Sequence, residues 1–137
     1  RTSDVLLCFT DLLSTFATLG GESLPRGHPA VDSHDASRVL LGAPTETYAI
    51  RSTLSLPSGG KLWYREGDWK AIAFLGSGGN TQPHKRKPEP GEPKGQLYNL
   101  REDVGEQHNL YLDRPDVLKR LQRRRREVYP DAPLGGI

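Results

Sequence analysis

The residues of this chain that could carry chemistry are one cysteine, four histidines and several clusters of charged side chains. A single cysteine, Cys8, excludes an internal disulfide, and we interpret it as a small buried hydrophobic residue. His28 and His34 lie close to Asp32 and Asp35, which are residue types that bind metals. Their spacing is not His-x-x-x-His and no cysteine joins them, so the pattern does not predict a metal site.

Two basic clusters could bind anions. Lys85, Arg86 and Lys87 follow His84 in a connection rich in proline and glycine, and they are the candidate contacts for a sulfate or another anion. The alternative is a solvated loop tip, because isolated charges on loops are common. The second cluster includes residues 123–126 near the C-terminus. Its apolar stripe and the overall charge of +2 favour a docked helix with a solvated cationic face over nucleic-acid binding.

The N-terminal segment predicts an amphipathic helix. Thr10 or Asp11 can cap it, and Gly20-Gly21 can end it because glycine adopts the left-handed conformation at little cost. The segment is more apolar than a small independent domain would show on one surface helix, so we expect an exposed patch that packs on something absent from this chain. The apolar positions with helical spacing are Leu12, Leu13, Phe16 and Leu19.

The middle of the chain predicts strands. Residues 47–56 alternate in the manner of a strand, and 57–60 read as a turn. Residues 61–65 and 69–75 predict a hairpin around Gly67-Asp68, the kind of pair that a tight turn requires. A carbohydrate-binding platform of Trp63, Tyr64 and Trp69 is the alternative to ordinary core packing of these aromatic residues.

The C-terminal third predicts a strand, an acidic turn and a helix. Leu97 to Leu100 has strand length, and Asp103 with Gly105 supplies turn chemistry. We expect Glu106 and Asn109 to offer oxygens to backbone amides in this turn. A helix capped by Asp113 should begin at Pro115, and its apolar positions are Val117, Leu118, Leu121 and Val128. The predicted fold is therefore α+β: a small antiparallel sheet of about four strands packed against a C-terminal helix.

Three segments together resemble the sulfatases, sulfuric ester hydrolases of the alkaline-phosphatase-like superfamily. Residues 10–17 resemble the family's Asp-Leu-x-Pro-Thr motif, with Ser14 in place of proline. Residues 65–70 match its Arg-x-Gly-Asp-Trp-Lys hairpin, and residues 97–110 resemble its C-terminal signature, with Val104 where proline is usual. The matching positions, structural in the family, are Asp11, Thr15, Arg65, Gly67, Trp69, Lys70, Leu97, Tyr98, Leu100, Asp103, Glu106 and Asn109.

The resemblance implies that residues 1–42 end the large catalytic domain and lead into the linker, and that 43–137 form the C-terminal subdomain of an arylsulfatase-type enzyme. The parent would hydrolyse a sulfate ester with a formylglycine nucleophile and a calcium ion held by Asp and Asn side chains. The context of Cys8 lacks the proline and arginine of the formylglycine motif, so we assign no catalytic or metal-binding residue and no cofactor to this chain.

The expected partner is the rest of the same sulfatase domain, with this chain completing the fold and one wall of the substrate cleft; alone it would be inactive. The resemblance implies a periplasmic, extracellular or lysosomal location. No stretch reaches the roughly 18 apolar residues of a membrane helix, so no membrane partner is predicted. The alternative of another class is a stand-alone module that binds a sulfated glycan or another polyanion through the basic loop and helix.

Overall fold

A computed structural model of the chain describes residues 2–3, 5–25, 27–45, 48, 52–55, 62–78 and 81–130. The chain forms two compact units, residues 1–51 and 52–137. The predicted turn at 57–60 and the tail after residue 130 lie outside the described residues.

The first unit contains a 3₁₀ helix, Phe9–Asp11, followed by helix α1, Leu12–Leu19, and a short helix α2, Ser37–Leu40. Helix α1 ends as predicted: the Gly20 amide donates to the carbonyls of Phe16 and Ala17, and Gly21 follows at φ 84°. Asp11 occupies the N-cap position of α1, as predicted, but its side chain makes no capping hydrogen bond to this helix. The Asp11 carboxylate instead accepts hydrogen bonds from the backbone amides of Cys8 and His34.

Several apolar side chains of α1 and of the 3₁₀ helix before it are exposed. Phe9 is 90% exposed and Phe16 is 61% exposed, and Leu13 and Leu19 are also exposed. The predicted apolar patch is therefore confirmed.

The second unit is an antiparallel sheet in the order β1-β2-β3-β4 with one long helix. The strands are β1 Ser52–Ser55, β2 Trp63–Glu66, β3 Trp69–Ile72 and β4 Gln96–Asn99, and the helix is α3, Pro115–Val128. The α+β class is thus confirmed, with a sheet of about the predicted size. Within the predicted strand 47–56, only residues 48 and 52–55 are described, and the strand covers 52–55.

The β2–β3 hairpin has the predicted tight turn. Glu66 pairs with Trp69, so the loop contains only Gly67 and Asp68. Gly67 has φ 57°, a conformation that glycine adopts without a steric penalty. The register continues into β4, where Trp69 pairs with Asn99 and Ala71 with Leu97.

Helix α3 covers one face of this sheet. Its buried residues Val117, Leu118 and Leu121 pack with Leu62, Tyr64, Ala71 and Leu97 of the sheet side. The predicted cap at Asp113 is wrong, because the helix starts at Pro115 and Arg114 occupies the N-cap position. The guanidinium of Arg114 instead pairs with Asp116 in the first turn, at 3.1 Å.

Candidate functional site

The aromatic residues of the hairpin lie on opposite faces of the sheet. Tyr64 is fully buried in the cluster under α3, and Trp69 packs against the same cluster. Trp63 packs instead with Ile72, on the other face. Because neighbouring strand residues alternate between faces, Trp63 and Tyr64 cannot share a surface. The alternative of a carbohydrate platform is therefore wrong, and the core packing of these aromatic residues is confirmed.

The predicted site residues of β4 divide in the same way. Leu97 is fully buried in the cluster beneath α3. Tyr98 and Leu100 belong to the cluster on the opposite face. Burial, with Glu106 and Asp103 nearby, raises the pKa of the Tyr98 phenol, whose hydroxyl donates to Gln96 Oε1 at 2.6 Å. Leu97 therefore packs in one core of the second unit, and Tyr98 and Leu100 pack in the other.

Lys70 and Glu106 form a half-buried ion pair on the face that carries Trp63. Lys70 Nζ lies 2.6 Å from Glu106 Oε1 and 5.4 Å from the centroid of the Trp63 ring. Glu106 adopts φ 54°, which non-glycine residues rarely do. The structure thus directs Glu106 to a lysine and not to a backbone amide, which corrects the sequence prediction. Arg65 donates from Nε to the Gly67 carbonyl at 3.0 Å and so closes the hairpin loop.

The acidic turn after β4 is held by two side chains. Asp103 accepts hydrogen bonds from the amides of Gln107 and His108, and these bonds lower the pKa of its carboxyl. Asn109 Oδ1 accepts from the amides of Leu97 and Tyr111 at 3.0 and 3.1 Å. The prediction for Asn109 is confirmed: its amide group ties β4 to the segment that leads into α3.

Asp11 and Thr15 organise the first unit. Both are 1% exposed. Asp11 accepts from Cys8 and His34 amides at 2.8 and 3.0 Å, and Thr15 Oγ1 accepts from the Ala36 amide at 3.0 Å. Their polar atoms therefore fix the loop 33–36 against α1. Asp11 and Thr15 therefore have a structural role in this unit.

The basic loop is partly neutralised. Arg86 Nη2 lies 3.0 Å from Glu92 Oε1, and this hydrogen bond lowers the pKa of Glu92 to about 2. The Arg86 amide also donates to the Leu75 carbonyl at 2.9 Å, which folds the loop back toward the sheet. Lys85 and Lys87 have exposed side chains. Of the three candidate anion contacts, Arg86 is the one that pairs with an acid among the residues that the structure describes.

Arg125 is the residue that sequence reasoning missed. The sequence pattern places it on the solvated cationic face of α3, yet it is fully buried. It lies four positions after Leu121 and so continues the buried face of α3, a periodicity that was visible in the sequence. Burial lowers the pKa of its guanidinium, and Arg126 beside it adds to this effect.

The described residues were also considered as possible metal ligands and membrane spans, and they form neither. No group of three or more His, Cys, Asp or Glu side chains among them is arranged to hold a metal ion. None of the helices formed by these residues has the length and apolar character needed to span a bilayer.

Comparisons with known proteins give a likeness at the level of structure. No protein-family model matches the chain, and no curated protein sequence matches it. A solved structure from Bacteroides thetaiotaomicron, a sulfatase described with that organism's metabolism of multiple glycosaminoglycans, matches with a TM-score of 0.60 and 26% identity over 86% of this chain. The chain has a sulfatase-like fold.

A second solved structure, of a protein called Ps i-CgsB, matches 90% of the chain with a TM-score of 0.55 and 20% identity, which supports the fold alone. In both cases the chain spans 24% of the matched protein's length. The likeness is therefore to a sulfatase-like C-terminal domain.

Proposed function

We propose that this chain is the C-terminal part of a sulfatase, and that it completes the fold and forms one wall of the substrate cleft. The observation that carries the proposal is the likeness to the Bacteroides sulfatase over 86% of the chain. Because that match spans only 24% of the sulfatase, the remaining three quarters of such an enzyme would supply the chemistry.

The roles of the motif residues support this proposal. Trp69 and Leu97 fill the core beneath α3, and Asn109 fixes the turn. Asp11 and Thr15 hold the loop beside α1 through hydrogen bonds. Side chains committed to packing and backbone hydrogen bonds build a scaffold, whereas a catalytic group must reach the substrate.

The exposed face of α1 supports a scaffold that requires a partner surface. Monomeric proteins rarely leave contiguous apolar patches of large side chains in water. The exposed apolar residues Phe9, Leu13, Phe16 and Leu19 form such a surface on the first unit. We propose that the rest of the same sulfatase domain packs on this apolar surface.

The proposed reaction of the parent is hydrolysis of a sulfate ester. A hydroxyl of the formylglycine hydrate would attack sulfur there and displace the alcohol of the ester, and calcium would stabilise the negative charge of the sulfate group. The described residues include no cluster that fits calcium, so no step through the metal is assigned to this chain. The neighbour's link to glycosaminoglycan metabolism makes a sulfated polysaccharide the first substrate class to test.

The test begins with the gene. We expect the reading frame upstream of Arg1 to encode Cys/Ser-x-Pro-Ser-Arg and an Asp-Asn pair for the metal. The product of the complete frame should hydrolyse an aryl sulfate such as 4-methylumbelliferyl sulfate, and the 137-residue chain should not. Replacing the Cys or Ser of the upstream motif by alanine should abolish the activity. A complete frame without that motif, or hydrolysis by the 137-residue chain alone, would overturn the proposal.

A further inference from the structure

Helix α3 concentrates positive charge. Residues 115–128 include six basic and two acidic side chains, so the helix carries a net charge of +4. The whole chain carries only +2, which leaves the remaining residues at −2. The positive charge is therefore concentrated on this helix and is not spread over the whole chain.

Packing fixes which cations of α3 face solvent. Val117, Leu118 and Leu121 are buried against the sheet, so the opposite side of the helix points outward. Three basic residues at i, i+4 and i+7 lie along this outer side and are exposed. At 1.5 Å per residue the row is about 10 Å long. This outer row consists of Lys119, Arg123 and Arg126.

The outer row differs from other arginines of the same unit in its ionic contacts. Arg101 and Arg114 each contact a carboxylate, and Arg124 contacts two, those of Glu66 and Glu127. Within the described part of the chain, Lys119 and Arg126 have no ion-pair partner.

Arg123, in the middle of the row, has only a long contact. Its Nε lies 3.8 Å from the exposed Glu127 carboxylate. Exposed ion pairs of this kind contribute little free energy, because water screens the attraction between the two charges. The row thus presents three cations whose charge is little compensated by the protein.

The helix dipole explains only part of this arrangement. Basic residues in the last turn are favourable near the C-terminus, and Arg126 lies there. Lys119 lies near the middle of the helix, where the dipole offers little. Like charges at i, i+3 and i, i+4 repel one another, so the row destabilises the free helix slightly. An anionic ligand that spans the row would remove this repulsion.

We propose that the outer row of α3 binds a linear sulfated polysaccharide and holds a polymeric substrate close to the enzyme. The choice of ligand rests on the proposed function. Arginine offers planar, paired donors that suit the oxygens of a sulfate group. A single file of cations matches a file of sulfate groups along one chain.

Other polyanions fit this surface less well. Single-stranded nucleic acid binds by stacking its bases on aromatic side chains, and α3 contains no aromatic residue. A membrane-surface helix inserts its apolar face into lipid, whereas Val117, Leu118 and Leu121 are buried against the sheet. The sulfated polysaccharide is therefore the partner that charge and shape favour.

The experiment measures binding of the 137-residue chain to a fluorescent heparin oligosaccharide at 50 to 300 mM NaCl. The variant Lys119→Gln/Arg123→Gln/Arg126→Gln should bind at least about tenfold more weakly, with a lower dependence on salt because fewer counterions are released. The matched control Arg38→Gln/Lys94→Gln/Arg101→Gln removes the same charge from exposed positions outside α3 and should change affinity less than about twofold. Tryptophan-detected unfolding checks that each variant folds.

Competitors separate the outcomes. Unlabelled heparin should displace the probe, and chemically desulfated heparin should not. Equal loss of affinity in the control would show that net charge alone governs binding and would overturn the proposal. Displacement by a DNA duplex as effective as that by heparin would also overturn it. The single variant Arg123→Gln should show a smaller loss in the same direction, which keeps the test valid if the triple variant is unstable.

This test is independent of sulfatase activity. If the chain binds heparin but the complete gene product does not hydrolyse sulfate esters, the binding surface on α3 is supported and the proposed sulfatase function is refuted. If the complete gene product hydrolyses an aryl sulfate but the chain does not bind heparin, the proposed function is supported and the binding surface on α3 is refuted.

Discussion

Helices α1 and α3 use their faces in opposite ways. Helix α3 buries Leu121 and its apolar neighbours against the sheet and turns cations outward. Helix α1 buries the hydroxyl of Thr15 in a hydrogen bond and leaves Phe16 61% exposed. Each description holds within its own compact unit. The difference shows that α3 has apolar packing partners inside this chain, whereas α1 is held by polar contacts and leaves apolar side chains exposed.

The largest effect should come from breaking the core beneath α3. Leu121 is fully buried, so Leu121→Ala leaves a cavity and should lower the free energy of unfolding by about 2–5 kcal/mol. Both tryptophans lie in the second unit, so urea unfolding followed by tryptophan fluorescence reports on this core. The control Arg120→Ala, at an exposed position of the same helix, should change stability by less than about 0.5 kcal/mol. Equal effects of the two substitutions would contradict the packing of α3.

The polar attachment of α1 predicts a smaller, local effect. Thr15→Val keeps the shape of the side chain but leaves the Ala36 amide without its acceptor, which should cost about 1–3 kcal/mol. Amide hydrogen exchange at Ala36 measures this loss at the site itself. Thr15→Ser keeps the hydroxyl and should preserve most of the protection. If Ala36 exchanges at the same rate in Thr15→Val and in the unsubstituted chain, the hydrogen bond does not hold the loop.

The turn that leads into α3 predicts a dependence on pH. Backbone amides of Gln107 and His108 lower the pKa of Asp103, so the folded state favours the carboxylate. Its contribution to stability is therefore present above the ordinary pKa of about 4, and it is lost as the pH falls through the lowered folded value. A ¹³C NMR titration of the Asp103 carboxyl measures that value directly.

Substitution then isolates this contribution. Asp103→Asn should be less stable than the unsubstituted chain at pH 7, and the difference should shrink as the pH falls below about 4. Glu102→Gln, at an exposed neighbouring position, should show no such convergence. A difference that stays constant from pH 7 to pH 3 would rule out ionisation of Asp103 as its source.

Local signals predicted most of the fold. Gly67-Asp68 between strand-like runs specified the hairpin, and the spacing of Val117, Leu118 and Leu121 specified the face of α3 that meets the sheet. The excess of apolar residues on α1 predicted its exposed patch. These features depend on neighbours a few positions apart, which is the range that sequence patterns report.

Long-range contacts explain what the sequence did not predict. Glu106 meets Lys70, which is 36 residues away in the chain, and Asp11 meets the amide of His34. Arg125 was counted as solvated because of its charge, although its position continues the buried face of α3. A local pattern identifies side chains that can accept or donate, but tertiary structure selects their partners.

The smallest effect on stability should come from the exposed face of α1. Phe16→Gln should change the free energy of unfolding by less than about 0.5 kcal/mol, because the ring is mostly in water already. The same chemical change on α3, Leu121→Gln, should destabilise strongly, since it places an amide in the core. Binding of the dye ANS, which reports exposed apolar surface, should fall in Phe16→Gln. A loss of more than about 2 kcal/mol in Phe16→Gln would mean that this face is already covered within the chain, and the contrast between the two helices would disappear.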